Sequence, residues 1–150
     1  MSAAVFAAAL AVAATNAVPA FWGVWRWHRA EPPGPFWVML RVGQGTALAL
    51  AAGVGALALA GRHSSDELFY LYALLPAAVG LVAEQLRLSC AQAVLDQRRL
   101  PDAQAVGRLP EGEQRRVVDA IVNREMGVMA ASALVVIFLA LRAAGTAHGF

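Results

Sequence analysis

Residues 126–141 read MGVMAASALVVIFLAL, a run without a single charged side chain. Together with the apolar stripe just before it, this run is long enough to cross the hydrocarbon core of a bilayer, which takes roughly 20 residues of helix. We therefore predict a membrane-spanning helix over residues 117–142. Pro110 suits the first helical position, and Glu111 and Glu113 favour a helix amino terminus, so this helix should begin well before its span.

Three more apolar stretches precede this one, and the composition agrees with a chain that lies mostly in lipid. Of its 150 residues, 59% are hydrophobic and 15% are charged, which falls outside the range of ordinary soluble domains. Four crossings use more than half of the chain, so no separate soluble domain fits. We predict an all-α fold, a single four-transmembrane-helix bundle with spans over about 3–25, 36–60, 68–90 and 117–142.

The first stretch has a rival interpretation as a secretory signal peptide. Such a signal carries positive charge before its apolar core, whereas residues 1–20 contain no lysine or arginine. Charge follows the core instead, at Arg26 and Arg29. We therefore expect an uncleaved first span, followed by a connection over residues 27–35, whose prolines cannot continue a helix.

Arginine is distributed unevenly over the two sides of this bundle. Seven arginines fall in the first and third connections: Arg26, Arg29, Arg98, Arg99, Arg108, Arg115 and Arg116. The other side carries Arg62 and Arg142. Because positive charge is enriched on the cytoplasmic side, we expect both termini outside, the third and fourth helices extended into the cytoplasm, and a location in the inner (plasma) membrane of the cell.

A polar cluster falls at a comparable depth in three of the predicted spans. An unpaired charge in hydrocarbon costs at least ~2.5 kcal/mol, so Arg41 and Arg124 should pair inside the bundle. The available acidic partners are Glu84 and Glu125. Two interpretations stay open: an ion-pair lattice that fastens the helices, or a cytoplasm-facing pocket for a small polar or anionic ligand. For the pocket, the candidate ligand-binding residues are Arg41, Gln44, Glu84, Arg87, Asn123, Arg124 and Glu125.

Other kinds of chemistry find no support in the residues. The histidines His28, His63 and His148 fall in predicted connections or the tail, which leaves no intramembrane pair for haem and no metal set. Cys90 has no second thiol to pair with. No nucleophile or nucleotide-binding motif occurs, and a net charge of +2 is too small for a nucleic-acid surface. We therefore expect no catalytic residue, no metal, no cofactor and no nucleic-acid partner.

Three segments carry a resemblance: LRVGQ at residues 40–44, FYLYALLP at residues 69–76 and REMGVMA at residues 124–130. In this order they resemble small bacterial four-span membrane proteins to which no activity is assigned, and the resemblance implies none here. The glutamine early in one span and the aromatic start of the next are similar, more remotely, to a half-bundle of the haem A synthase type. That family uses intramembrane histidine ligands, whereas Phe69 stands where such a ligand would be sought in this chain.

These observations together predict a structural or accessory membrane protein, without enzymatic activity of its own, within a larger assembly. A binding or transport module with a cytoplasm-facing pocket is the first alternative, and a haem- or quinone-associated electron-transfer component is the second. Besides the lipid bilayer, the expected partners are another membrane protein or a second copy of this chain. Ala47, Ala51 and Gly55 follow the small-residue spacing by which membrane helices approach one another.

Overall fold

The computed structural model describes residues 2–31 and 34–147. Its helices are α1 (Ser2–Arg29), α2 (Phe36–Leu59), α3 (Glu67–Gln97), α4 (Ala103–Gly107) and α5 (Glu111–Thr146). No strand occurs in the described ranges. All helices except α4 are long and apolar enough to cross a membrane, which confirms the all-α, four-span prediction. Pro32, Pro33 and His148, which enter the predictions above, lie outside the described residues.

The four long helices pack around a ring in chain order. α5 lies against α1 and α3 most extensively, and α2 lies against α1 and, more loosely, against α3. The two diagonal pairs touch very little. Short connections between sequential neighbours make those neighbours antiparallel, as in an up-and-down four-helix bundle. The seam between α2 and α3 is therefore the most open side of the bundle.

Two glycines bring α1 and α5 into close approach. A Cβ atom placed on Gly23 would lie 2.5 Å from Cε2 of Phe36 and 2.8 Å from Cβ of Ala130. A Cβ atom placed on Gly127 would lie 2.7 Å from Nε1 of Trp27. In lipid, where apolar burial gives helices no reason to associate, close backbone approach of this kind supplies the packing energy. The α1–α5 contact is also the most extensive in the bundle.

The apolar core has two parts along the bundle axis. One part is built around Phe69 and consists mainly of small side chains from α1, α2 and α5. The other part contains the larger side chains Phe36, Leu40, Met126 and Met129. This second part lies where α1 ends and α2 begins, and it holds the first turns of α2 against α3 and α5.

Hydrogen bonds join α1 to α2 near the middle of α1. Asn16 is 2% exposed, and its Nδ2 donates to the carbonyl oxygens of Val12 at 2.8 Å and Gly43 at 3.1 Å. The hydroxyl oxygens of Thr15 and Thr46 lie 2.8 Å apart. Interhelical hydrogen bonds in a membrane contribute roughly 0.6 kcal/mol each on average. Together these bonds set the rotation of α1 relative to α2.

The helices α3 and α5 project beyond the other two. α5 has 36 residues, which is roughly 54 Å at 1.5 Å per residue, against a hydrocarbon core of roughly 30 Å. A separate apolar cluster built on Val94, Leu95 and Val117 holds the projecting parts together, and Val106 of α4 packs against it. The predicted extension of the third and fourth membrane-spanning helices, which are α3 and α5, is confirmed. The side of the membrane that it occupies stays a prediction.

The end of α1 and the start of α5 differ from the predicted ones. α1 continues to Arg29, where Ala30 adopts a positive φ of 51° and the N–H of Glu31 donates back to the carbonyl of Arg26. This is the left-handed type of helix ending. Pro110 is the amino-terminal cap of α5 rather than its first helical residue, since its ψ of 145° is extended.

Candidate functional site

Five of the predicted polar residues meet where α2 faces α3 and α5. Nη1 of Arg41 lies 2.6 Å from Oε1 of Glu84 and 2.7 Å from Oε1 of Gln44. Nε2 of Gln44 donates to the same Glu84 oxygen at 3.0 Å. Arg41 and Gln44 share one face of α2, because residues three apart are neighbours on a helix. Glu84 of α3 therefore accepts hydrogen bonds from two neighbouring side chains of α2.

Arg87 extends this cluster from α3 to α5. Its Nε lies 3.1 Å from Oε2 of Glu84, and its Nη1 lies 4.0 Å from Oε2 of Glu125. Nε of Arg87 is buried without a hydrogen-bonded acceptor among the described residues, so its contact with Glu84 is an ion pair of poor hydrogen-bond alignment. The guanidinium also lies 5.5 Å from the ring centroid of Trp37. Arg87 is therefore positioned by three helices.

We call Arg41, Glu84, Arg87 and Glu125 the ion-pair chain, because their charges alternate along it and sum to zero. Its side chains range in exposure from 52% for Arg41 to 21% for Glu125. Partial exposure lowers the desolvation cost that opposes fully buried ion pairs. It also lets the long arginine stems carry their charge toward a headgroup region. The ion-pair chain links α2, α3 and α5 without leaving a net charge.

Asn123 and Arg124 lie outside the ion-pair chain. Arg124 is exposed and forms no ion pair with any residue that the structure describes. The expectation that it pairs with Glu84 or Glu125 inside the bundle is therefore wrong. Consecutive residues of an α-helix point about 100° apart, so Arg124 cannot face α3 together with Glu125. Oδ1 of Asn123 is buried and accepts no hydrogen bond from the described part of the chain.

Aromatic side chains surround the same end of the bundle. The guanidinium of Arg26 lies 5.4 Å from the ring centroid of Trp22, and that of Arg29 lies 4.5 Å from the ring centroid of Trp25. Glu31 is within 3.4 Å of Arg26 and 3.9 Å of Arg29. Exposed tryptophan beside arginine is typical of the membrane–water interface. This arrangement favours a headgroup-level position for the end that carries the ion-pair chain.

A cavity of about 160 Å³ lies at the α2–α3 seam, directly beside the ion-pair chain. Apolar side chains form most of its wall, among them Leu48, Pro76 and Leu81. Its polar wall consists of Asn16, Arg41, Gln44, Glu84 and Ser132. The cavity therefore runs from a polar end at the ion-pair chain into the apolar middle of the bundle.

Asn16 and Ser132 were not among the predicted site residues. Asn16 interrupts an otherwise apolar span, and a polar side chain at such depth is a signal that could have marked it. The hydroxyl of Ser132 donates to the carbonyl of Met129 in its own helix at 2.8 Å. This is the usual bond of a serine within an apolar helix and is typical of a packing residue. No spacing in the chain places these two residues on one cavity, because they belong to helices far apart in sequence.

The described residues contain no group of three or more His, Cys, Asp or Glu that could hold a metal ion. His28 lies in the last turn of α1 rather than in the connection, since α1 is longer than predicted. His63 follows α2, at the opposite end of the bundle. Cys90 is buried, and its thiol donates to the carbonyl of Leu86 at 3.4 Å. The site therefore offers hydrogen bonds and paired charges.

Comparison with protein-family models, with curated proteins and with solved structures finds no match for this chain. The resemblances to small bacterial four-span proteins and to the haem A synthase type thus stay predictions. The fold and site together describe a multi-pass membrane protein of four long helices, three of which, α2, α3 and α5, are joined by an ion-pair chain at one end.

Proposed function

We propose that this protein is a structural or accessory element of the inner membrane, without enzymatic activity of its own, that works within a larger membrane assembly. The ion-pair chain carries this proposal. Its four charged groups meet one another across α2, α3 and α5, so they are engaged within the bundle. A site for catalysis or transport needs charged groups that are free to meet a substrate.

A double-mutant cycle on Arg41 and Glu84 tests the structural role. The variants Arg41→Gln and Glu84→Gln and the double variant are compared by unfolding in mixed detergent and dodecyl sulfate micelles. Because each single change leaves charge without its partner, we expect the pair to show a coupling energy of roughly 0.5–1 kcal/mol, given its partial exposure. Arg115→Gln, an exposed change in the projecting part of α5, is the control. Strictly additive single effects would contradict a structural lattice.

The proposed inner-membrane orientation rests on the seven arginines in the first and third connections. Cysteine labelling tests it in a Cys90→Ala background. His63→Cys and Gln104→Cys place exposed thiols at the two ends of the bundle. An impermeant maleimide applied to intact cells should label the first variant, and label the second only after lysis. The reverse pattern would mean that the bundle is inverted.

The proposed assembly is tested on the protein isolated from native membranes in a mild detergent. Native mass spectrometry of the intact particle should show this chain with a membrane-protein partner, or with further copies of itself, at a fixed stoichiometry. A monomer that carries only lipid, found in several mild detergents, would contradict the accessory role.

A second candidate function, binding of a small anionic ligand, is favoured by Arg124. Its exposed guanidinium adds one positive charge next to the neutral ion-pair chain. Inorganic phosphate should then raise the unfolding temperature of the protein, and Arg124→Gln should remove that rise. Arg115→Gln, which changes the same charge elsewhere on α5, should leave it unchanged. A wild-type protein without any phosphate-dependent shift would rule this candidate out.

A further inference from the structure

The geometry points to a ligand site in the cavity at the α2–α3 seam: it binds a hydroxyl-bearing aromatic ring of a molecule dissolved in the lipid, whose hydroxyl group donates a hydrogen bond to Asn16. This inference goes beyond the structural role and does not depend on it, because the ion-pair chain forms only one end of the cavity wall.

Two residues of the cavity wall offer free hydrogen-bond acceptors. Asn16 is 2% exposed, its Nδ2 donates to two carbonyl oxygens, and its Oδ1 accepts no hydrogen bond from the described residues. Ser132 uses its one hydroxyl hydrogen on Met129, so its oxygen is left as an acceptor. A ligand that brings an O–H group into this cavity therefore finds an acceptor whose hydrogen bond is not already used within the protein.

The charged part of the wall is already engaged. Arg41 donates to both Gln44 and Glu84, and both carboxylate oxygens of Glu84 have partners. After its bond to Glu84, Gln44 keeps one amide hydrogen. Among the neutral side chains of the wall, a ligand therefore meets two free acceptors and one free donor. A neutral hydroxyl group matches this pattern, because it both donates and accepts, whereas a charged group would find no unpaired opposite charge.

The size of the cavity limits the ring system that the ligand can carry. Cavities of about 150 Å³ in other proteins hold one benzene ring. This cavity measures about 160 Å³, and most of its wall is apolar, so a single aromatic ring fits it in both volume and polarity. A bulkier ring system would have to push α2 and α3 apart.

The position of the cavity sets its route of entry. Leu48 of α2 and Leu81 of α3 line it, and they are 54% and 66% exposed. These two side chains stand on either side of the loosest seam of the bundle. In a membrane that seam faces acyl chains, so the ligand enters sideways from the lipid. An alkyl substituent on the ring would extend outward between Leu48 and Leu81.

Fluorine NMR on the full chain in lipid nanodiscs tests this site with two matched probes, 4-fluorophenol and fluorobenzene. Partitioning into empty nanodiscs is measured separately and subtracted. We expect saturable binding of both probes, with 4-fluorophenol bound roughly three- to tenfold more tightly, which is the net effect of about one hydrogen bond. Equal affinity for the two probes would overturn the assignment of the hydroxyl group.

Two glycine variants distinguish the effect of filling the cavity from a general effect of a larger side chain on the bundle. Gly80 lines the cavity and Gly45 does not, while a Cβ atom on either residue would have no neighbour within 4 Å. Gly80→Leu should fill the cavity and abolish saturable binding of both probes. Gly45→Leu should leave binding unchanged. Binding that survives Gly80→Leu would overturn the site.

Asn16→Leu tests the acceptor itself, because leucine keeps the shape of asparagine without its oxygen. In this variant the preference for 4-fluorophenol should fall to within twofold, with fluorobenzene binding retained. A preference that stays as in the wild type would overturn the role of Asn16. If this variant does not fold, the glycine pair and the two probes still decide the proposal.

Competition against 4-fluorophenol distinguishes a ligand held in lipid from one dissolved in water. Phenol and 4-hexylphenol are compared after correction for their partitioning. Stronger competition by 4-hexylphenol supports a lipid-dissolved ligand whose chain leaves through the α2–α3 seam. Equal competition would overturn entry from the lipid.

Discussion

Replacement of Gly23 by alanine should destabilise the bundle, although alanine favours a helix. The new Cβ atom would lie 2.5 Å from Cε2 of Phe36 and 2.8 Å from Cβ of Ala130. Neither neighbour yields easily: the Phe36 ring is fully buried, and the Cβ of Ala130 is fixed to the backbone of α5. The helices α1 and α5 would have to separate, and overpacking of this kind typically costs about 1–3 kcal/mol.

Gly45→Ala is the matched control for this change. A Cβ atom on Gly45 would have nothing within 4 Å, so this variant receives only the helix-propensity gain of about 0.5–1 kcal/mol. Because that gain is common to both variants, it cancels in their comparison. Gly23→Ala should therefore be less stable than Gly45→Ala by about 1–3 kcal/mol, the overpacking cost alone.

Unfolding with dodecyl sulfate in mixed micelles, followed by tryptophan fluorescence, measures this difference. Trp22 and Trp25 of α1 and Trp37 of α2 lie at the end of the bundle where Gly23 contacts Phe36, so their emission reports on that contact. An unfolding free energy for Gly23→Ala equal to or above that for Gly45→Ala would refute the close approach of α1 and α5.

Three further changes test other contacts. Asn16→Ala removes a hydrogen bond between α1 and α2 and should lower the unfolding free energy by about 1 kcal/mol in the same titration. Asp66→Ala removes the acceptor that caps α3 at the N–H of Leu68; it should also cost about 1 kcal/mol, whereas Asp66→Asn should cost little. Val117→Ala removes two carbons from a side chain that is 1% exposed, worth about 1.6 kcal/mol, and should speed proteolysis between α3 and α5. An unfolding free energy equal to that of the wild type, or for Val117→Ala an equal rate of proteolysis, would contradict the contact that the variant removes.

The polar cluster shows which part of a site can be predicted from the chain. Arg41 and Glu84 pair as expected, because a charge in an apolar helix must find a partner and few acidic residues share its depth. Arg124 does not pair with any described residue. Position along a helix predicts depth, but the face on which a side chain lies also depends on how that helix is rotated against its neighbours.

The hydropathy of the chain and the placement of its prolines and charges were enough to determine that four helices can span a membrane. They also determined that two of these helices, α3 and α5, extend beyond the others. Those properties follow from transfer of the backbone and side chains into lipid, which depends on local composition. Only the tertiary structure decided that α1 lies closest to α5, and that Asn16, Gly80 and Ser132 line one cavity. Helix contacts in lipid depend on side-chain shape and close backbone approach, which become defined only when all four helices are packed together.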